Sequence, residues 1–452
     1  MFTNKRIHMI GIGGVSMSGI AEMLLNMNAT VTGSDITESK ITNHLENLGI
    51  KILYGHHPEL INNCDLVIYT ADIKENDPER ITAKELGIPT YERAVALGIL
   101  SKEYKNCLCI SGTHGKSTTT GLVSLIFMEA NLNPTIQIGA ILPEINGTSK
   151  IGSKDYLIME ACEYVDSFLN FHPTCEIITN IDNDHLDYFK NLDNIKNSFN
   201  KYTNLLPENG YLIKNNDDIN SKNVEKNTKA KIITYGIENE ANFMAKEITF
   251  NENGCYSFDI YYNNEFYNTI HLNIPGKHNI YNALAATALT NIFISDKNII
   301  KKGIEKYQGV KRRFEYIGKY KNCSIYDDYA HHPTEIKATF NSVKQIKHHE
   351  SWAIFQPHTY SRTKKHLDGF ADILSKFDHI IIADIYAARE TNTFNISEDM
   401  LVNKIKEKNG NVIHINSFDK IVNYLKENIQ DNDLVITIGA GPINKVAENL
   451  KE

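Results

Sequence analysis

Gly112-Thr113-His114-Gly115-Lys116-Ser117 joins a short apolar run, Cys107-Leu108-Cys109-Ile110, to a stretch with helical spacing. A strand that turns through glycines into a helix offers backbone N–H groups and the positive helix end to phosphate oxygens. In such a loop Lys116 supplies a point charge, and the Ser117 hydroxyl can ligate Mg2+. The chain therefore reads as one that handles a nucleoside triphosphate. Ile110 stands where the eight-residue phosphate-loop pattern has its first glycine, so this is the compact form of the loop.

Upstream, an apolar strand at 7–10 runs into Gly11-Ile12-Gly13-Gly14-Val15-Ser16-Met17-Ser18-Gly19 and an apolar-periodic helix. A second strand ends at Asp35, about where a dinucleotide fold places its ribose-binding carboxylate. An NAD-dependent oxidoreductase is one reading of this start. Against it, Ser16 replaces the third fingerprint glycine, and a glycine loop on a helix N-terminus holds any diphosphate. Further strands at 50–53, 65–69 and 89–91 continue the βα pattern to about Tyr104.

Downstream of the phosphate loop, two strands end in polar residues. One closes at Glu160, the other at Asn180, followed by Asp182, Asp184 and His185. Ligands of α/β sheets bind beyond the carboxyl ends of strands, so Glu160 and His185 are expected to converge on a metal held by Ser117. Glu163 competes for that role, and the strand-end position favours Glu160. Residues 213–274 read as a β-rich insertion, after which Asn279 and Asn282 share one face of a helix's first turn. Beyond Arg312-Arg313-Phe314, strands alternate with helical stretches to the end, a further doubly wound unit.

The bulk properties agree. A chain of 452 residues is too long for one core, and suggests about three domains. Its 42% hydrophobic and 23% charged residues are ordinary for a soluble globular protein. A net charge of -8 argues against nonspecific nucleic-acid binding, which needs a basic face. The seven cysteines form no Cys-x-x-Cys pair or zinc spacing and read as reduced core residues. With no apolar stretch long enough for a signal peptide or membrane span, a cytoplasmic location without a membrane partner is expected.

Beside the two glycine loops stand Thr179-Asn180-Ile181-Asp182-Asn183-Asp184-His185, Pro275-Gly276-Lys277-His278-Asn279-Ile280-Tyr281-Asn282, Arg312-Arg313-Phe314, Asp327-Asp328-Tyr329-Ala330-His331-His332-Pro333-Thr334-Glu335 and Phe355-Gln356-Pro357-His358-Thr359-Tyr360-Ser361-Arg362. In order and spacing these resemble the Mur ligases along nearly the whole chain, and within them the branch that adds L-alanine. The resemblance implies an α/β fold of three domains: an N-terminal Rossmann-like UDP-binding domain at 1–105, a central P-loop ATPase-type domain at 106–313, and a C-terminal Rossmann-like amino-acid domain at 314–452. It implies ATP and Mg2+ as cofactors. It also implies UDP-N-acetylmuramate and L-alanine as small-molecule partners in peptidoglycan precursor synthesis, by a monomer or dimer.

Carried over by position, the resemblance assigns ATP to Gly112, Thr113, His114, Gly115, Lys116, Ser117 and Thr118, and magnesium to Ser117, Glu160 and His185. Asn279 and Asn282 face adenine and ribose, Arg313 the γ-phosphate, and Asp328 the nucleotide. The UDP-sugar falls to Gly11, Gly13, Gly14, Ser16, Met17, Ser18, Asp35, His56 and Thr70, and alanine to Tyr329, His331 and Arg362. Some positions depart from the family pattern. Thr359 stands where many members have Arg, Asp72 where alanine is usual, and Pro442 where an Asp follows the second glycine. Phe199 occupies the place of the carbamylated lysine of sister ligases, which favours the alanine-adding branch. A murein-tripeptide recycling ligase shares the phosphate machinery and is the nearest alternative. A pseudoenzyme binding only UDP-sugar is disfavoured by the presence of Lys116, Glu160, His185 and Arg313.

Overall fold

The computed structural model describes every residue except Arg389 and Glu452, together with every side chain but those two and Asp187. The chain forms two compact units. One comprises Met1–Lys246, Asp259–Ile270 and Tyr281–Tyr307; the other comprises Glu247–Phe258, His271–Ile280 and Gln308–Glu452.

The first unit opens with five parallel strands, β1 (Arg6–Ile10), β2 (Thr30–Asp35), β3 (Lys51–Tyr54), β4 (Leu66–Tyr69) and β5 (Thr90–Glu92), in the order β3-β2-β1-β4-β5. Strand order reverses between β1 and β4, and a crevice at such a switch point is where doubly wound sheets bind ligands. Gly11 follows β1 and Thr70 follows β4, so two of the expected sugar-nucleotide residues open from that point.

A second, larger sheet begins with β6 (Asn106–Ser111) and continues through β7 (Thr135–Leu142), β8 (Gly147–Lys150), β9 (Tyr156–Glu160), β10 (Cys175–Ile178), β11 (Tyr211–Asn215), β12 (Lys231–Gly236), β13 (Phe243–Phe250), β14 (Cys255–Tyr262) and β15 (Glu265–Pro275). Its order is β15-β14-β13-β12-β11-β10-β6-β9-β7-β8. The stretch read as an insertion is thus a run of sheet strands: β11 and β12 extend the parallel ladder directly from β10. Its alternating pattern was legible, but which edge the strands join depends on pairing, which periodicity does not encode. At the centre, β6 runs parallel to β9 on one side and β10 on the other, with Ile110 opposite Glu160 and Ser111 opposite Ile178. Ile110 is fully buried as a ladder residue, which is the physical reason the phosphate loop starts only at Gly112.

The phosphate-loop helix, Lys116–Glu129, packs against the helix Lys297–Lys306. They approach closely because Gly303 faces the Ile126 backbone; a Cβ there would lie 2.6 Å from the Ile126 Cα.

In the second unit, β16 (Glu315–Tyr320) pairs antiparallel with β17 (Cys323–Asp328), and β18 (Ser351–Phe355), β19 (His379–Ile382), β20 (Val412–His414) and β21 (Leu434–Ile438) complete a sheet ordered β16-β17-β21-β18-β19-β20. Along β21, Leu434, Ile436 and Ile438 join one core cluster and Val435 the other. Both faces are covered, so the strand reads as a continuous apolar run. The α/β class expected from sequence is therefore present, and the strands fall into three sheets. No helix among the described residues is long and apolar enough to cross a membrane.

Replacing Gly303 by Ala pushes the two helices apart. Overpacking of this kind costs about 1–3 kcal/mol, and the expected result is a lowered thermal midpoint together with weaker nucleotide binding. An unchanged midpoint would show that the contact is slack.

Candidate functional site

The phosphate loop is shaped by glycine at two positions where no side chain fits. Gly112 has φ 126°, and a Cβ there would lie 2.0 Å from Thr179 Oγ1; Gly115 has φ 85°, and a Cβ there would lie 2.6 Å from Asn282 Oδ1. Residues beyond β10 clamp the loop. The His114 N–H donates to Asn180 Oδ1 at 2.9 Å, Asn180 Nδ2 and Thr179 Oγ1 donate back to the His114 carbonyl at 3.0 and 2.6 Å, and the Asp182 N–H donates to Thr113 Oγ1 at 2.9 Å. Ser117 is buried in the first helical turn beside half-buried Thr118. Lys116 Nζ donates to the Gly112 and Thr113 carbonyls and to both oxygens of Glu163, at 3.0 and 3.3 Å. Burial disfavours the ammonium, but the adjacent Glu163 carboxylate outweighs it and holds the pKa above its ordinary value. Lys116 is charged at any working pH.

The two glutamates have different partners in three dimensions. Glu163 is committed to Lys116, with its side chain 2% exposed. Glu160, at the end of β9, takes the Gly139 N–H at 2.7 Å. His185, in left-handed conformation (φ 52°), stacks on Tyr164 with centroids 4.4 Å apart. Ser117, Glu160 and His185 supply a hydroxyl, a carboxylate and an imidazole, donor types that suit a small hard dication. Gly139 leaves the Glu160 carboxylate free of crowding, since a Cβ there would come within 2.9 Å of Oε2. Among the described residues, the group of three side chains spaced to hold a metal is His349, Glu350 and Asp433. It lies where β18 and β21 begin, and Asp433 already accepts from Trp352 Nε1 and the Gln430 N–H.

Asn282 is buried, and its Oδ1 accepts from Thr119 Oγ1 at 3.2 Å. Asn279, also buried, donates from Nδ2 to the Pro275 carbonyl at 2.7 Å.

In the N-terminal sheet, the Asp35 carboxylate braces the first glycine loop, taking the Gly13 N–H at 2.8 Å and the Ile36 N–H at 2.7 Å. Ser16 receives Arg93 Nη1 at its hydroxyl and Gln137 Nε2 at its carbonyl, and Ser18 Oγ donates to Val15 O. Met17 is buried, whereas Gly14 is exposed. His56 is paired with buried Asp77 at 3.1 Å. Beneath this surface lies a network that sequence reasoning missed. Glu79, fully buried, accepts from Ser34 Oγ at 2.7 Å, His8 Nε2 at 3.3 Å and the His57 N–H at 2.5 Å. Burial raises its pKa, yet these bonds together hold it below the ordinary value. Its partners lie up to 71 positions away, so no local spacing announces it.

In the second unit, Arg312 pairs with fully buried Asp327 at 3.0 Å and donates to the Gly439 and Gly441 carbonyls. Asp327 is thereby structural. Arg313 lies over the Tyr329 ring at 5.2 Å. Asp328 accepts from Thr339 Oγ1 at 2.6 Å, and burial pushes its carboxyl up to about 6. His331 Nδ1 donates to the Tyr329 carbonyl, 2.9 Å away, while His332 caps the helix Pro333–Val343. Arg362 Nη1 lies 3.0 Å from His358 Nδ1. Burial, with the charge of Arg362, pushes His358 down to about 4, so the ring is neutral and accepts that bond. Tyr329, His331, His358 and Arg362 thus gather around one polar corner, with the His331 and His358 centroids 6.0 Å apart. Thr359, the departing residue, has φ 63° and caps the helix Tyr360–Lys365. Phe199 is fully buried and packs edge-on against Phe168, leaving that position apolar.

Three family descriptions match the chain in succession: "Mur ligase family, catalytic domain" over residues 6–105, "Mur ligase middle domain" over 110–290, and "Mur ligase, glutamate ligase domain" over 312–441. The UDP-N-acetylmuramate–L-alanine ligase of Caldanaerobacter subterraneus is 48% identical over 448 residues, 99% of this chain and 97% of its own. That of Acetivibrio thermocellus is 48% identical over 445 residues, 98% of this chain and 95% of its own. Among solved structures, the UDP-N-acetylmuramate–alanine ligase of Thermotoga maritima superposes with a TM-score of 0.84 at 25% identity, covering 99% of this chain and 98% of its own. A murein peptide ligase of Psychrobacter arcticus shares the fold, with a TM-score of 0.72 at 23% identity over 99% of this chain and 98% of its own.

Asp328 supplies a pH test. Its raised pKa means the folded state binds the proton more tightly than the unfolded state. The stability this contributes is complete below about pH 4 and lost as pH rises through about 6. A two-unit shift amounts to about 3 kcal/mol at most. The expected outcome is that Asp328→Asn, compared with wild type in urea unfolding at pH 4 and pH 7, loses less stability over that interval. Parallel losses would contradict the assignment.

Proposed function

The chain belongs to the Mur ligase family, and from that membership we propose its reaction: joining L-alanine to the lactyl carboxylate of UDP-N-acetylmuramate at the expense of ATP. It is a ligase. The observation that carries the substrate choice is the full-length likeness, at 48% identity, to proteins named for this reaction. The apolar Phe199 supports the alanine-adding branch over its sisters.

In the chemistry we infer, a lactyl carboxylate oxygen attacks the γ-phosphorus of ATP and ADP leaves, giving an acyl phosphate. The alanine amine then attacks the acyl carbon, loses a proton and expels phosphate to leave an amide. Both phosphoryl donor and acceptor are anions, so the protein's task is placement and charge neutralisation. Lys116 and the loop N–H groups would hold the β and γ phosphates, and Arg313 would neutralise charge on the transferring group. Ser117, Glu160 and His185 would hold Mg2+, which screens the phosphate oxygens when bound. Asn279 and Asn282 would meet the nucleoside and Asp328 the nucleotide. Gly11, Gly13, Gly14, Ser16, Met17, Ser18, His56 and Thr70 would take the UDP-sugar, with Asp35 bracing their loop. Arg362 would take the alanine carboxylate through a charge-assisted bond, with Tyr329 and His331 closing a small pocket. We assign residues 1–105, 106–313 and 314–452 to sugar nucleotide, ATP and amino acid respectively, and place the enzyme in the cytoplasm, where these substrates are made.

Incubation with UDP-N-acetylmuramate, Mg·ATP and either L-alanine or the murein tripeptide decides between the branches. Phosphate release and an amide product with L-alanine are expected; release with the tripeptide alone would overturn the reading. Lys116→Ala should abolish turnover and keep UDP-N-acetylmuramate affinity within about twofold, because the lysine and the sugar loop serve different ligands. Arg362→Ala should raise KM for L-alanine by about a hundredfold, the worth of a lost charge-assisted bond. A change in KM for ATP instead would place Arg362 elsewhere.

A further inference from the structure

The turn 163–166 lies between two side chains already assigned to phosphate and magnesium, and its role as inferred below rests on that assignment. Glu163 receives the Lys116 ammonium on both carboxylate oxygens, at 3.0 and 3.3 Å. The next residue, Tyr164, stacks on the His185 ring at 4.4 Å with the planes 29° apart. Directly after them, Val165 (φ 48°, ψ 34°) and Asp166 (φ 57°, ψ 24°) are both left-handed. A β-branched residue in this region is a genuine outlier. Such conformations persist where the surroundings over-determine them, and they cluster at functional sites. Here the surroundings can be named: Asp166 accepts from Tyr188 Oη at 2.8 Å and from Ser198 Oγ, and the Tyr188 ring stands edge-on to Tyr164 at 6.3 Å.

We propose that the turn 163–166 is a positioning device for phosphoryl transfer, in which Glu163 aims the Lys116 ammonium and Tyr164 sets the plane of the His185 imidazole. The two left-handed residues turn the chain back on itself, which keeps both neighbours directed at the site. Glu163 and Tyr164 are positioning residues: they act through Lys116 and His185 and need not touch substrate. Partners that orient a metal-ligating side chain typically change metal affinity by about 10–100-fold when removed.

The test compares Tyr164→Ala, Tyr164→Leu, Tyr164→Phe and Glu163→Gln with the wild-type full chain. Readouts are thermal unfolding, calorimetric binding of Mg·ADP, the Mg2+ concentration giving half-maximal rate, and the separate values of kcat and KM for ATP. Tyr164→Leu keeps bulk without a ring and so covers the case in which the alanine variant does not fold. The proposal expects the Mg2+ requirement to rise about tenfold in Tyr164→Ala and Tyr164→Leu, with Mg·ADP binding weakened to match, and Tyr164→Phe to stay within about twofold of wild type. It expects Glu163→Gln to lower kcat about tenfold without raising KM for ATP. Equal Mg2+ requirements with and without the ring, or an unchanged kcat in Glu163→Gln, would overturn it. A wild-type chain that binds Mg·ADP yet makes no amide with L-alanine would defeat the functional reading instead, while the binding comparison would still decide the role of the turn.

Discussion

Three neighbouring parallel strands at the centre of the larger sheet, β9, β6 and β10, all end at one edge, and the proposed chemistry depends on that register. With Ile110 opposite Glu160 and Ser111 opposite Ile178, the loop after β6 emerges between the carboxylate closing β9 and the Thr179–Asn180 pair beyond β10. A slip of one residue in either pairing would turn Glu160 into the sheet face and remove the clamp on His114. The rest of the site is built outward from this edge: Glu163 onto Lys116, Tyr164 onto His185, and Asn282 onto Thr119.

Electrostatics follows from the same placement. Burying an ammonium is expensive unless a carboxylate meets it, and breaking such a pair strands a buried charge. Lys116 of the loop meets the buried Glu163 carboxylate and so stays charged. In the second unit the arrangement is inverted. His358 is held neutral beside Arg362, leaving the guanidinium to carry the charge of that pair, and Asp328 is buried enough to resist ionisation. A free amino acid carries a carboxylate, and a guanidinium beside neutral rings suits it.

Much of this was legible in the sequence because it is local. Glycines at 112 and 115, a strand before them and a helix after them announce a phosphate loop without any tertiary information. Asp35 was legible as a strand-end carboxylate, although its oxygens turn out to brace Gly13 and Ile36. Other features were hidden because their partners are distant in the chain. The Glu79 network joins His8, Ser34 and His57, and the Lys116–Glu163 pair spans 47 positions. The left-handed Val165 was hidden for a different reason: valine's intrinsic preference points away from that conformation, and tertiary contacts of the turn, that of Asp166 with Tyr188 among them, accompany it. The strands from 211 to 275 were visible as β, but their place in the sheet is a matter of pairing.

The central claim is that ATP is spent on activating a carboxylate. UDP-N-acetylmuramate labelled with 18O in both lactyl carboxylate oxygens tests it most directly, with the released phosphate examined by mass spectrometry after turnover with L-alanine. If the carboxylate attacks the γ-phosphorus, one labelled oxygen leaves with the phosphate and one stays in the amide. Phosphate free of label would mean that ATP is cleaved by water, and would contradict the account.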